Sequence, residues 1–368
     1  MKKYKSGAAL LLAACALPGL LPVAHAETIP EYGTVSAKLL SYQQKQPDGD
    51  LSNKSTVVSP SIFISAPVAG QWLIEGSITN DKVSGASPRY HTTGASHMSD
   101  NRTAGDIRVK RYLDHATVSV GAAYSTEHDY QSTAISVSGT VSSEDNNTTW
   151  SGGLGFNNDK INPVNKIVVD EKKTGFEAQV GVTQVLTPLD IVQLTGTYSS
   201  GKGYFSDPYK PYDNRPRDKQ TGVLLAKWNH HIKEINATTK FSYRFYNDTY
   251  GIHAHTFGLE LVKPLADGWT VTPAVRYYSQ SKASFYYDPP FPNGSELTKY
   301  YSADQRLASI GAITVGVKVS KQLTPESTVD FKLESYRQST GLHLGSSAST
   351  GLSPLTATMI QIGYSHRF

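Results

Sequence analysis

The stretch that decides the fold is the last one, MIQIGYSHRF, residues 359–368. Ile360, Ile362, Tyr364 and His366 share one parity, Gln361, Gly363, Ser365 and Arg367 the other, and the chain stops on Phe368. Successive side chains of a strand point to opposite faces, so one face of this segment is greasy and the other polar. The last residues of a soluble domain usually fray. A strand held between lipid and water has the pattern seen here.

The start of the chain reads differently. Lys2, Lys3 and Lys5 precede an apolar run over 7–23, and Ala24-His25-Ala26 offers a cleavage site. Residues 1–26 are therefore expected to be a signal peptide and 27–368 a single barrel domain. Leu12-Ala13-Ala14-Cys15 supplies a second reading, a lipid anchor on Cys15, the chain's one cysteine. The apolar run ahead of Cys15 is short for a signal core and continues past it, which favours the first reading. Without its three leader lysines the chain is nearly balanced in charge, so the basic pI of about 8.8 argues for no nucleic-acid partner. No later apolar run reaches the 18 or so residues of a membrane helix. An exported chain without further cysteines is held by burial and backbone hydrogen bonds, not disulfides.

Period-two alternation recurs along the chain. Val329, Phe331 and Leu333 alternate with Asp330, Lys332 and Glu334; Trp72, Ile74 and Ile78 alternate with Glu75, Ser77 and Thr79. Sixteen such segments are expected, near 34–42, 55–66, 71–80, 105–112, 115–126, 131–141, 147–156, 174–186, 190–200, 219–230, 235–247, 252–264, 268–278, 307–321, 327–339 and 355–368. Segment 219–230 is the least regular, because Val223, Leu224 and Leu225 follow one another. Every second connection is a tight turn (APVAG, LDHA, SSEDN, LTPLD, HHIKE, PLADG, QLTPE). Most of the others are long and polar: 43–54, 81–104, 157–173, 201–218, 279–306 and 340–354. A soluble sandwich predicts shorter strands and unordered connections. Short turns at one end and long loops at the other predict an all-β transmembrane antiparallel barrel with its turns in the periplasm and its loops outside. An even strand number places both termini at the periplasmic end. Trp72, Trp150, Trp228 and Trp269 all fall at short-turn ends, as an interfacial ring of indoles should. Tyr42, Tyr124, Tyr198, Tyr277 and Tyr336 fall at the other end and are expected to form the outer girdle.

If the apolar parity faces lipid, the lumen receives Lys38, Arg108, Lys110, Lys227, Lys240, Arg244, Arg276, Lys318 and Lys332 against Glu75, Glu177, Glu260, Asp330 and Glu334. This is a positively biased interior, suited to small anionic solutes. The alternative is that these charges pair across strands and loops fill the bore. A triplet recurs at Asp100-Asn101-Arg102, Asp213-Asn214-Arg215 and Asp304-Gln305-Arg306, in each case in a long loop ahead of a descending strand. Residues two apart point the same way, so each triplet presents an Asp/Arg fork. The forks are expected to tie folded loops to the inner wall and shape a constriction, or else to be surface charge of little consequence. His253 and His255 share a face, and His91, His97 and Met98 lie in one loop, but no carboxylate or thiol stands at a matching spacing for metal. His230 and His231 sit on a periplasmic turn. The stiff DPPFPNG, 288–294, is expected to be a plug element or a surface epitope. No G-x-S-x-G, H-E-x-x-H or phosphate loop is present, so neither an enzyme nor a bound cofactor is expected.

At VSGASPR (83–89), EHDYQS (127–132), DNRPRDKQ (213–220), VRYYSQS (275–281) and SADQRLASIG (302–311), the chain resembles a family of uncharacterised bacterial outer-membrane proteins, a domain of unknown function. The resemblance spans nearly the whole chain after the leader. It implies a signal peptide, an outer-membrane β-barrel and no assigned activity. It also implies an association with periplasmic redox and flavin-transfer systems, and thus a periplasmic redox partner. The last strand resembles the terminal recognition strand of outer-membrane proteins. This implies the barrel assembly machinery as a partner through Phe368; His366 stands where that pattern often has a hydrophobic residue. The resulting expectation is a porin-like channel in outer-membrane lipid, or a plugged barrel serving as scaffold for a periplasmic redox or cell-surface system.

Overall fold

The structure, a computed structural model, describes residues 28–45, 55–86, 97–210, 212–292, 297–345 and 347–368. The leader 1–26 with Cys15, His91, and the side chains of His97 and Met98 lie outside what it describes. Eighteen strands occur among the described residues, and sixteen of them close into one antiparallel barrel. The barrel strands are β1 (Thr34–Lys45), β2 (Ser55–Val68), β3 (Trp72–Ala86), β4 (His97–Tyr112), β5 (Ala116–Thr126), β6 (Tyr130–Ser142), β7 (Thr148–Ile161), β8 (Glu171–Thr187) and β9 (Asp190–Gly203). They continue with β11 (Asp218–Ile232), β12 (Ala237–Asp248), β13 (His253–Pro264), β14 (Trp269–Gln280), β16 (Ile310–Gln322), β17 (Ser327–Ser339) and β18 (Leu355–Arg367). The other two, β10 (Asp213–Asn214) and β15 (Tyr301–Ser302), pair with each other inside loops.

All sixteen expected strands are present. Closure is made by β18 against β1, from Thr34 opposite Arg367 to Lys45 opposite Thr356. Phe368 completes the seam: its N–H donates to the Gly33 carbonyl at 3.0 Å, and the Gly33 N–H donates to the Phe368 carbonyl at 2.9 Å. The terminal alternation therefore belongs to the strand that shuts the cylinder.

Several strands run beyond the alternating segments. The expected loop 81–104 is strand as far as Ala86 and again from His97, and β7 continues to Ile161. Above the lipid both faces of a strand are wet, so alternation disappears while the backbone ladder carries on. Asn80 reinforces the β3–β4 ladder there, donating to Asn101 Oδ1 at 2.9 Å and to Thr103 Oγ1 at 3.0 Å.

The outer face is apolar. Val120, Val180, Ile135 and Ile362 each expose more than half of their surface, which in water would be a large liability and against hydrocarbon is the stable arrangement. The four tryptophans lie on this face at the short-turn end. Trp228 Nε1 donates to Asp190 Oδ1 at 2.9 Å, and Arg111 and Lys321 sit over Trp72 and Trp269, so each of these rings has a polar partner on its wet side. On β11 the run of three resolves by register. Leu224, opposite Phe245, faces out, and Leu225, opposite Arg244, faces in.

Two of the five tyrosines assigned to the outer girdle belong elsewhere. Tyr42 lies opposite Val57, beside buried Val83, and donates to Gln44 Oε1 at 2.9 Å. Tyr336 shares the parity of Lys332 and Glu334 and donates to Gln338 Oε1 at 2.7 Å. Both face the lumen; end-of-strand position suggested a girdle, but parity decides the face. His253 and His255 do face outward, among Phe245 and Tyr243, whose hydroxyl is 2.9 Å from His255 Nδ1.

The two faces respond differently to charge. Val180→Arg, at mid-height on the lipid side, should lower unfolding stability in vesicles by about 2–4 kcal/mol, whereas Gln179→Arg on the lumen side should change it little. Denaturant titration of the reconstituted protein measures both.

Candidate functional site

The lumen is the concave feature that the barrel encloses, and described loop residues of the outer end enter it. The described residues of segments 204–217 and 281–309, which leave out 211 and 293–296, fold together. The short ladder β10–β15 joins them, and the stacked rings of Tyr212 and Phe291, 4.7 Å apart, join them again. Of DPPFPNG, Phe291 is thus a contact of the cap, and Asn293 and Gly294 lie outside the described residues. Beneath lies an apolar cluster of Tyr250, Ile252, Phe285, Tyr286 and Leu307, with Tyr246 of the inner wall against it. Gln280, on the lumen side of β14, donates to the carbonyls of Arg306 and Ala308 at 3.0 and 2.8 Å. The described part of loop 281–309 therefore folds inward and is pinned to the wall at Arg306 and Ala308. Segment 340–344 packs elsewhere: a Cβ on Gly311 would lie 1.9 Å from the Leu342 carbonyl, so only glycine lets that segment cross β16.

Two of the three forks form the ionic centre of this cap. Arg215 Nε donates to Asp213 at 2.9 Å, and its Nη2 reaches Asp304 at 2.7 Å. Arg306 binds its own Asp304 and crosses to Asp207 at 2.8 Å. Lys210 reaches Asp304 at 3.3 Å. Three carboxylates face three cations, nearly all out of water. Burial pushes the Asp304 carboxyl up, but Arg306, Lys210 and Arg215 outweigh it and hold it well below the ordinary range. Lys210 has the longest contact; burial dominates there and lowers it to about 8. The forks thus interlock with each other, and the pin to the wall is Gln280. Sequence reasoning missed Asp207 and Lys210, which carry no motif and are recruited by the fold alone.

The third fork is not in a loop and is not a fork. Asp100 and Arg102 lie on β4. Their side chains share the inner face, but the Arg102 guanidinium turns across to Asp81 of β3, with Nε at 3.7 Å, and Asp100 accepts from His128 at 3.3 Å. Nearby, Glu127 is pushed up to about 8 by burial first and then by Asp100. Asp129, in the same turn, accepts from the Val164 N–H and the Tyr209 hydroxyl, latching it to the neighbouring loops.

A cavity of about 580 Å³ runs along β3–β9, with Asp81, Arg102, Asp159, Lys173 and Glu177 in its lining and Phe205 reaching in from the cap. Phe205 can lie on the wall because Gly201 is there; a Cβ would approach its ring to 2.8 Å. Asp159 is almost fully buried and accepts from Tyr130, Ser132, Asn157 and Lys173.

Register places every expected lumen residue on the inner parity, but the charges are not evenly spread. Contiguous strands β11–β18 and β1 carry Lys38, Lys227, Lys240, Arg244, Arg276, Lys318 and Lys332 against Glu260, Asp330 and Glu334. Strands β3–β8 carry Glu75, Asp81, Asp100, Asp106, Asp159 and Glu177 against Arg102, Arg108, Lys110 and Lys173. On the second half the charges pair, as in Lys173–Asp159 at 3.2 Å and Arg108–Glu75 at 4.0 Å. On the first, Lys332 meets Glu334 at 2.9 Å and Lys240 lies opposite Glu260, while Lys318 lies directly opposite Lys332. Among the described residues no carboxylate comes within ion-pair distance of Lys227, Lys240, Arg244, Arg276 or Lys318. On β11–β18 and β1 these basic groups outnumber the acidic ones. On β3–β8, Asp81, Asp100 and Asp159, on strand extensions, and Asp106 of β4 offset the basic groups.

A family model described as "Protein of unknown function (DUF3570)" matches residues 91–366. The chain belongs to this family. No curated protein matches it. Among solved structures it is similar to a bacterial polysaccharide outer membrane secretin, at 10% identity and TM-score 0.54, over 91% of this chain and 98% of that one. It is also similar to CdiB from Acinetobacter baumannii, at 10% identity and TM-score 0.50, over 89% of this chain and 60% of that one. At such identities the likeness is one of fold, and the fold is that of bacterial outer-membrane barrels.

Asp304→Asn removes the carboxylate shared by three largely buried cations. It should cost about 3–5 kcal/mol within the cap and expose 204–217 and 281–309 to protease while the barrel stays folded. The two acids bear on pH with opposite sign. Asp304, depressed in the folded state, stabilises fully above an unfolded pKa of about 3.9 and loses this only as pH falls through its lower folded value. Glu127, raised, contributes fully below an unfolded pKa of about 4.3, and that contribution is lost as pH rises through about 8. Amide exchange in the turn 127–129 should therefore speed up with pH across this window beyond its intrinsic trend, and Glu127→Gln should remove the excess.

Proposed function

We propose that the protein is an outer-membrane conduit for small solutes, preferring anions, which pass along the basic side of the bore beside an inward-folded cap. The observation that carries this reading is the row of cations on β11–β16 with no carboxylate within ion-pair distance among the described residues. Hydrated fixed charges in a narrow, low-dielectric bore raise the local concentration of counter-ions and bias which ion passes. Arg108, Lys110, Glu177 and Glu260 take the role of lining groups that set the field without binding tightly. In this reading the leader is removed on export, and the last strand ending at Phe368 is what the assembly machinery reads.

A second reading, a plugged barrel acting as scaffold for a periplasmic redox or cell-surface partner, draws on the cap itself. Its charges are matched and its rings packed, as in a built plug rather than a pair of loose loops.

Planar bilayers separate the two. The conduit should give stable conductance steps and, under a salt gradient, a reversal potential of anionic sign. Lys240→Glu, Lys318→Glu and Lys332→Glu together should reverse that sign, and matched substitutions at Arg108 and Lys110 should move it less. Silence in the bilayer from folded protein would leave the scaffold reading standing and remove the conduit.

A further inference from the structure

We infer that the outer face of β7–β9 carries a binding site for the phosphate of an outer-leaflet glycolipid, held by Lys160, Lys172 and Lys202. Lys160 and Lys172 are directly opposite each other in the β7–β8 ladder. Residues so placed have Cβ atoms about 5 Å apart, and like charges there destabilise the pair. Lys202 joins them from β9, opposite Thr174 and so diagonal to Lys172. All three share the parity of Phe156, Phe176 and Tyr198, the lipid-facing side, and all three are exposed. Among the described residues none of them has a carboxylate within ion-pair distance. Asp218 lies opposite Lys202 in the β9–β11 register without closing on it.

Height makes the cluster specific. Trp150 marks the periplasmic interface on β7, and Lys160 is some ten residues further up the same strand. Ten residues at about 3.3 Å each, tilted by about 40°, rise roughly 25 Å, the height of the apolar band of such barrels. The ammonium groups therefore stand at the outer headgroup level. Below them the same face presents the Phe156–Phe176 pair, centroids 5.1 Å apart, then Leu154 and Val180. A cationic triangle above an aromatic and aliphatic wall fits a ligand with a phosphate at one end and acyl chains at the other. A free phosphate would leave the wall unused. An anion between Lys160 and Lys172 also turns an opposed like-charge pair from a cost into a bridge.

The inference rests on the outer-membrane reading, and the test keeps the two apart. Protein is first folded into neutral phosphatidylcholine vesicles, where a shift in unboiled gel mobility reports insertion; failure at this step would overturn the membrane reading and the site with it. Thermal unfolding of detergent-solubilised folded protein is then followed with diphosphorylated lipid A, with the same lipid dephosphorylated, and with inorganic phosphate. Diphosphorylated lipid A should raise the unfolding midpoint by several degrees, and the other two should not. The triple variant Lys160→Gln, Lys172→Gln, Lys202→Gln, shown to be folded by the same gel shift, should lose most of the increase. An equal rise with dephosphorylated lipid or inorganic phosphate, or a full rise in the triple variant, would overturn the site.

Discussion

Everything in this molecule depends on the pairing of β18 with β1. In hydrocarbon a backbone N–H or C=O has no water to turn to, and each one left unpaired costs several kcal/mol. Fifteen strand pairings leave two open edges, and the sixteenth removes both at once. That requirement explains why the terminal segment keeps its alternation to the end and why Phe368 exchanges both backbone hydrogen bonds with Gly33. The outward valines and isoleucines follow from it, since a closed cylinder in lipid has its apolar side outside.

Once closed, the cylinder has an interior that side chains do not fill, and the loops and charges share it. The cap over β11–β16 is a small soluble domain in character, with an apolar centre, a charge cluster and an anchor on Gln280. Its six ionic groups sum to neutrality and lie largely out of water, where removal of one partner is far more costly than the net worth of the pair. Along β3–β8 the charges pair across strands, with Asp159, Asp81 and Arg102 buried, whereas Lys227, Lys240, Arg244, Arg276 and Lys318 of β11–β16 face the bore with no carboxylate within ion-pair distance among the described residues. A buried, matched cluster fixes a shape; a hydrated, unmatched row sets a field. Both kinds occur in the same lumen, on neighbouring strands.

The long loops were where sequence reading was least able to follow the chain. Alternation tracks a strand only while its two faces meet different solvents. β3, β4 and β7 continue above that zone by backbone pairing alone, and so Asp100 and Arg102 sit on a strand where a loop was expected. The carboxylates missed on β3, β4 and β7 belong largely to the same extensions. Tyr42 and Tyr336 show the converse. Their height along the strand was legible, but height does not say which way a ring points, and their parity places them inside.

By itself the sequence determined the number of barrel strands, which parity of each is apolar, and the placing of the four tryptophans at short-turn ends. Each of these rests on period two and on turn chemistry within a few residues. It also exposed the DNR and DQR triplets as pairs of opposite charge. Only the tertiary structure decided their partners. Arg215 finds Asp304, Arg306 finds Asp207, and Arg102 finds Asp81. For Arg215 and Arg306 the carboxylate depends on where two loops meet after some ninety residues of intervening chain, and for Arg102 on the β3–β4 register that sets it opposite Asp81; no local pattern carries either.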